Sequence, residues 1–390
     1  MKKAVLLLLC GALALCACDK NDPPKGVKES DLRGVTLDLS AFGYDGPRKI
    51  FILNEGQMGS NNASLDVIRF SDAQYLDGVF KKVNPATGGL GDVGNDIVII
   101  GNEVWILVNN SGIVEVISAE DEKEIAAIKI PTPRRIAFDN KYAYVTSWAG
   151  AYATWEKDDN GNSVLVDSSN PKGCVYRINL STKKVEGSLE VGYQPEGVAI
   201  LDGKLYVANS GGISCQLPPN YAYDNTVSVI NTGNWTLADP IEVTVNMKDV
   251  YVNNATKEVY VTSLGNYFDV HSGLYVIPQT GNVYCASHYA TVSAQSYNDI
   301  YCFGAEEEYD WEHPERTWEA WTWSGGSRKS LDFPLDGLTP YGLFLPQENF
   351  YLLADAGDYW NPGTVSLFVG DVKVWSVTAG VCPGHFAVWK

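Results

Sequence analysis

The sequence predicts an all-β fold: a seven-bladed β-propeller closed by the C-terminal strand joining the N-terminal blade. Three observations carry that expectation. A short aromatic pattern recurs seven times along the chain. A second, proline-led pattern lies upstream of several of its copies. The two patterns are incomplete at opposite ends of the chain, in a complementary way.

The first pattern places an aromatic residue second in an otherwise apolar run that ends on polar or small residues. Its copies are IFILNEG from Ile50, VWILVNN from Val104, AYVTSW from Ala143, LYVANSG from Leu205, VYVTSLG from Val259, IYCFGA from Ile300 and FYLLADAG from Phe350. The aromatics are Phe51, Trp105, Tyr144, Tyr206, Tyr260, Tyr301 and Tyr351, separated by 39 residues (Trp105 to Tyr144) to 62 residues (Tyr144 to Tyr206). Such a period suits one four-stranded blade plus loops of variable length. The second pattern reads PRRIA from Pro133, PEGVA from Pro195, PYGLF from Pro340 and PGHFA from Pro383. In each, a proline ends a connection and a short apolar strand follows. That strand is read as the innermost one, a, and the aromatic repeat as strand b. Alternating runs such as 227–230 and 274–277 supply strand c, and 374–377 supplies a strand d.

The last proline-led copy sits at the C-terminus with no strand b after it, and the first strand b has no strand a before it. The two halves complete one blade if the ends meet. Closure also removes the exposed sheet edges that invite aggregation. After residue 17 the sequence offers no long apolar run of period 3.6, so little helix is expected.

The N-terminus reads as a signal peptide over residues 1–17. Lys2 and Lys3 give a positive start, and the apolar stretch that follows is too short for a permanent membrane helix. Leu15-Cys16-Ala17-Cys18 resembles the bacterial lipobox, which makes Cys18 the expected lipidated N-terminus; ordinary cleavage near Ala17 is the plainer alternative. Residues 19–34 are polar, with two prolines and mixed charge, and read as a tether. About sixteen flexible residues reach roughly 20–25 Å. The domain plan is therefore signal peptide, lipidated cysteine with tether (18–34), and propeller (35–390).

Formal net charge is −18. A chain this acidic repels phosphate backbones, which argues against nucleic acid as a partner. Five of the eight cysteines lie beyond Cys18: Cys174, Cys215, Cys285, Cys302 and Cys382. The odd number excludes a complete disulfide framework, and no CxxC pair suggests a zinc site. Cys174 and Cys215 fall at the b–c loops of adjacent blades, so an exported protein could bridge them. The other three sit in strand contexts and read as buried small hydrophobes.

In a four-stranded antiparallel blade the b–c and d–a connections emerge on one face. Here the b–c connections are long, dissimilar and aromatic, as loops that carry function on a rigid scaffold tend to be. They offer Trp148, Tyr152 and Trp155; Tyr221 and Tyr223; Tyr267, Phe268 and His271; Tyr309 and Trp311; and Tyr359 and Trp360. Such aromatics give rigid apolar area with a polar handle; folding back as loop cores is the alternative. The d–a connections add Asn95, Arg134, Arg135, Glu196, Tyr341 and His385 around the channel mouth. Adjacent arginines in so acidic a chain could anchor an anion on a ligand, or pair with carboxylates such as Glu196.

Catalytic signatures are missing from the sequence, so no enzyme, metal or cofactor is expected. His271, His288, His313 and His385 show no metal-ligand spacing, and neither a GxSxG elbow nor a phosphate-cradling glycine loop occurs. Residues 158–162 begin like a calcium loop but lack its closing glutamate, and read as a turn tip.

The repeat as a whole resembles the YncE-like propellers. NEGQMGSNNASLDVI, residues 54–68, resembles a lipoprotein branch of them found in gut Bacteroidetes. The acidic residues after Cys18 resemble the signal that sends such lipoproteins to the outer face of the outer membrane. That branch includes the BtuG-type proteins, which capture cobalamin beside a TonB-dependent outer-membrane transporter. The resemblance implies a surface lipoprotein that binds cobalamin, or a related corrinoid, as transported ligand and passes it to such a transporter. Two rivals are weighed: an adaptor that docks a protein or glycan through the same loops, and a lactonase-like hydrolase.

Overall fold

The computed structural model describes residues 34–43, 46–149, 172–211, 223–266, 269–305 and 318–390, and the backbone alone of 154–157 and 163–167. Seven antiparallel sheets form the blades of an all-β propeller. Blade 1 takes strand a from Pro383–Trp389 and strands b, c and d from Lys49–Asn54, Ser64–Arg69 and Gln74–Leu76. Val35–Thr36 adds a short fifth strand outside it. In the other six blades strand a comes first, spanning Gly94–Ile100, Pro133–Phe138, Pro195–Leu201, Met247–Asn253, Val292–Ser296 and Pro340–Gln347. Strand d varies most: blade 4 splits it into Thr236–Leu237 and Ile241–Glu242, whereas blade 7 extends it over Val372–Val381. Blade 3 carries a hairpin, Thr154–Lys157 with Ser163–Asp167, in its b–c connection.

Burial explains why these residues make these strands. Lys49–Asn54, strand b of blade 1, is buried at every position, because neighbouring blades cover both faces of the sheet. Strand d meets solvent instead: Ser327–Leu331 of blade 6 is almost wholly exposed, and its composition is polar. The prolines at the head of strand a occupy the first residue of a strand, where no ladder hydrogen bond is lost. Non-glycine residues of positive φ precede several of these strands: Val93, Thr132, Gln194, Asn246 and Cys382. The repeated d–a corner is thus a sharp left-handed step, which aims the first side chains of strand a across the channel mouth.

The recurring aromatic fills the interface with the following blade. Phe51 packs with Val104 and Ile106 of blade 2, Trp105 with Val145 and Ile178 of blade 3, and Tyr144 with Leu205 of blade 4. Tyr144 also stacks on Trp235 of blade 4, with centroids 5.7 Å apart. Blade 7 departs from the expected phase. There Phe350 faces blade 1, while Tyr351 faces back to blade 6 and meets Tyr301 at 5.9 Å. The proline of strand a sets this register. Pro383 pairs with Asn54 in blade 1 and Pro340 with Asp355 in blade 7, so Tyr351 matches Ile50 rather than Phe51. A shift of one residue sends a strand side chain to the other face.

The ends close as the split copies predict: Pro383–Trp389 pairs with Lys49–Asn54 from Lys49↔Trp389 to Asn54↔Pro383. A buried cross-blade bolt reinforces the seam, with Lys49 Nζ 2.6 Å from Glu122 Oε1 of blade 2. Among the described residues no helix is long and apolar enough to cross a membrane. Residues 1–33, with Cys18 and all of the tether but its last residue, Gly34, lie outside the described part.

Candidate functional site

The b–c and d–a connections do share a face, and at its centre they surround a cavity of about 630 Å³. Its wall includes Asn95, Arg134, Arg135, Trp148, Glu196, Tyr341, Tyr359 and His385. A second cavity of about 270 Å³ lies within the channel, where strand a of several blades supplies the lining. At its top it shares Arg135, Lys248, Tyr341 and His385 with the mouth.

The motif over residues 54–68 builds one side of the mouth. Asn54 Nδ2 donates to Asp66 Oδ2 at 2.7 Å and Ser64 Oγ at 3.0 Å, which pins strand b to strand c. The Gln57 amide donates to Asn62 Oδ1 at 2.8 Å, and that of Gly59 to Asp92 Oδ2 at 2.8 Å. Gly56, at φ +76°, lets the loop pass so close to Asn62 that a Cβ would sit 2.5 Å from its Oδ1. The braced loop holds Glu55 inside the mouth and leaves Met58, also in the wall, 69% exposed on its rim.

Glu55 is the residue that the sequence reading missed and the fold makes central. Its Oε1 lies 2.9 Å from His385 Nε2 on the closing strand, and its Oε2 accepts the Tyr341 hydroxyl of blade 7 at 2.6 Å. Burial pushes the Glu55 carboxyl up, but the hydrogen bond and charge of His385, the Tyr341 hydroxyl and the Arg135 charge outweigh it, leaving the group below the usual carboxylate range. Burial, and then the Glu55 charge, push the Tyr341 hydroxyl far upward, so it acts as a fixed donor.

The two arginines resolve toward pairing. Arg134 Nε lies 3.0 Å from both carboxylate oxygens of Glu196, and its Nη1 donates to Asn95 Oδ1 at 2.8 Å. Its guanidinium rests 4.4 Å over the Trp148 ring. Arg135 donates to the Asn95 carbonyl and lies 3.7 Å from Asp249 Oδ1. Burial alone would lower the Arg135 value, but Asp96, Asp249, Glu196 and Glu55 together raise it. Burial raises Asp96 against the opposing charges of Arg135 and His385. Asp249 goes the other way: burial is outweighed by Lys248, Arg135 and the Ser293 hydroxyl. Of the two alternatives open for these arginines, the geometry shows pairing with carboxylates, Glu196 among them. Both guanidinium groups are already matched to carboxylates, and a ligand anion would have to displace them.

The remaining sequence candidates are scattered. Trp360 lies beside the mouth rather than in its wall and is 74% exposed; Gln57 Nε2 donates to its carbonyl at 3.4 Å. Tyr223 is half-buried and His271 lies toward the outer end of blade 5, both away from the cavity wall. Tyr152, Tyr221, Tyr267, Phe268, Tyr309 and Trp311 lie outside the described residues, as does the side chain of Trp155. Cys174 is a half-buried free thiol, and its expected partner Cys215 also lies outside the described residues. Cys302 and Cys382 are buried as expected, but Cys285 is exposed, because it stands on the solvent-facing strand d.

Residues that the sequence did not mark as site candidates complete the wall, among them Met58, Lys248, Asn246 and Trp318. Lys248 donates from Nζ to the Thr291 carbonyl at 3.1 Å and lies 3.9 Å from Asp249.

No family model matches the chain, and no curated protein matches it. Solved structures do. Hydrazine synthase of Kuenenia stuttgartiensis is similar at 16% identity and a TM-score of 0.56, over 75% of this chain and 88% of that one. A functionally unknown protein from Desulfotomaculum acetoxidans is similar at 12% identity and a TM-score of 0.56, over 87% and 98%. Apo AztD from Citrobacter koseri is similar at 9% identity and a TM-score of 0.47, over 88% and 98%. At 16% and 12% identity the likeness to the first two is one of fold alone.

Proposed function

We propose that this is an outer-membrane lipoprotein, anchored through Cys18 and facing outward, that captures a large amphipathic nutrient at the channel mouth. The candidate ligand is cobalamin or a related corrinoid, and the recipient a TonB-dependent transporter in the same membrane. The reading is of a binding protein that transforms nothing.

One observation carries the binding part: a cavity of about 630 Å³ in which hydrogen-bonding side chains from several blades converge below a rim of exposed Met58 and Tyr359. Concave, partly apolar sites with a few fixed polar groups are where small-molecule ligands bind. The corrinoid and the transporter rest on the resemblance of residues 54–68 to the lipoprotein branch. A corrinoid ring would lie across the mouth on the aromatic rim, with its peripheral amides toward Asn95 and Tyr341. Its phosphate would lie outside the mouth, since Arg134 and Arg135 are paired with Glu196 and Asp249.

Calorimetric titration of the purified chain with cyanocobalamin is the deciding experiment. Saturable binding at micromolar ligand or below supports the assignment, and absence of heat together with absence of a thermal shift removes it. A second reading has its own support. Trp360, 74% exposed and held by Gln57 through its carbonyl, is the kind of aromatic on which a glycan or partner protein docks, which would make the protein a surface adaptor.

A further inference from the structure

Folding joins two histidines that the sequence keeps apart. His271 lies two residues before strand c of blade 5, Gly273–Ile277, and His288 ends strand d, Tyr284–His288. Their rings meet edge to face with centroids 5.7 Å apart, and Cys285 Sγ lies 3.9 Å from His288 Nδ1. Residues three apart on a regular strand face opposite sides of the sheet. Here the register shifts: Leu274 pairs with Ser287 but Tyr275 with Cys285, so Ala286 is the extra residue of a bulge. The bulge turns Cys285 and His288 to one face, a device that re-aims side chains and is common next to functional sites. Opposite His288 stands Gly273, where a Cβ would lie 2.9 Å from the Ser287 carbonyl oxygen and 3.5 Å from the Tyr275 ring, so the close approach of the two strands here requires glycine. A Cβ there would lie 3.6 Å from Cys285 Sγ.

We propose that His271, Cys285 and His288 bind a soft transition-metal ion, with zinc as the reference occupant. One thiolate and two imidazoles without a carboxylate disfavour calcium and magnesium and suit zinc. Zinc at about 2.3 Å from sulfur and about 2.0–2.1 Å from nitrogen sets a tetrahedral S···N separation of about 3.6 Å; the pair here stands at 3.9 Å. Two imidazoles on one such ion, at angles of about 110–130°, place their centroids about 5.2–5.8 Å apart, and these two stand at 5.7 Å. Among the described residues no three such side chains already converge on one point. Closing the site takes rotation of Cys285 and His288, both exposed, toward His271. Cys285 releases its thiol proton to solvent on binding, and water takes the fourth position. None of the three residues lines the mouth cavity, so the site is independent of the ligand proposed there.

The test titrates the purified chain with zinc chloride by calorimetry and with cobalt(II) by absorption. One equivalent should bind, and cobalt should show a thiolate-to-metal charge-transfer band in the near ultraviolet. Cys285→Ser should abolish that band and weaken zinc binding about tenfold or more. His271→Ala and His288→Ala should weaken it similarly, all three with unchanged melting in the absence of metal. Absence of zinc binding, or binding that Cys285→Ser leaves intact, overturns the assignment. Affinity that falls instead with His385→Gln would place the metal at the mouth and overturn it equally.

Discussion

Removing residues 383–390 deletes the innermost strand of blade 1, and the structure allows the loss to be sized. Six paired positions, from Lys49↔Trp389 to Asn54↔Pro383, lose their partners. At about 0.5–1.5 kcal/mol net for each ladder hydrogen bond, that alone is several kcal/mol. Ala387 and Trp389 leave the core shared with blade 2, and Phe386 and Val388 leave the one shared with blade 7. Truncating one packed aromatic costs about 3–5 kcal/mol. The total approaches the whole stability of an ordinary domain, about 5–15 kcal/mol, and Lys49–Asn54, buried throughout, becomes an open edge. The truncated chain should be insoluble or lack a cooperative transition. Trp389→Ala gives a graded version. Trp389 is 8% exposed, lies beneath the Arg48 and Lys49 cations at 5.0 and 5.6 Å, and donates to Asn102 Oδ1 of blade 2 at 3.3 Å. Its loss should cost about 3–5 kcal/mol and lower the melting temperature by roughly 5–10 °C in a scanning calorimeter. A truncated chain that melts where the full chain does would refute closure by this strand.

Three further outcomes are expected. Glu115, buried in strand c of blade 2, is pushed up from its ordinary 4.5 to about 7, by burial first and then by Glu124. The folded state then holds an extra proton between those values, so stability should fall as pH rises through that window, by at most about 3 kcal/mol; Glu115→Gln should flatten the slope in urea titrations at pH 5 and pH 8. Lys49→Met leaves Glu122 buried without its cation and should cost about 3–5 kcal/mol, and adding Glu122→Leu should recover most of it, as a double-mutant cycle would read. Tyr260→Ala should cost about 3–5 kcal/mol of stability through the 2% exposed core of blades 5 and 6, whereas Trp360→Ala should leave melting unchanged and weaken ligand binding, about thirtyfold if Trp360 is an anchor.

The fold was legible because a propeller writes its period into the chain. Each strand b must cover a neighbour on both faces, so it is apolar through its middle, and each strand a begins at a corner where proline costs no ladder bond. Both constraints are local, and both survive in short strings such as PEGVA and LYVANS. Blade 7 shows where local reading stops. FYLLAD offers two adjacent aromatics, and only the pairing of Pro340 with Asp355 decides which one faces the next blade. The bulge at Ala286 is equally silent, because a single extra residue in strand d has no compositional mark; its effect is to put Cys285 and His288 on one face.

The mouth was half legible, for a related reason. Residues at the head of strand a could be placed at the channel because the d–a connection delivers them there, marked by a proline in every case but Asn95, and Asn95, Arg134, Arg135, Glu196, Tyr341 and His385 do line it. Apart from Glu196, named as a possible partner of the arginines, their partners could not be placed. Glu55 reaches His385 and Tyr341 across more than 280 positions of sequence, and Asp249 reaches Arg135 across more than 100. Charge in isolation therefore misleads: two adjacent arginines look like an anion site until the carboxylates opposite them are counted. With Glu55, Glu196 and Asp249 facing Arg134, Arg135 and Lys248, the mouth is close to neutral before Asp96 is added. A site of that kind gives little reward to a charged ligand, because binding one would first break a buried pair. It favours a ligand that presents amides and hydroxyls to an already organised set of donors and acceptors, with its apolar area against Tyr359 and Met58.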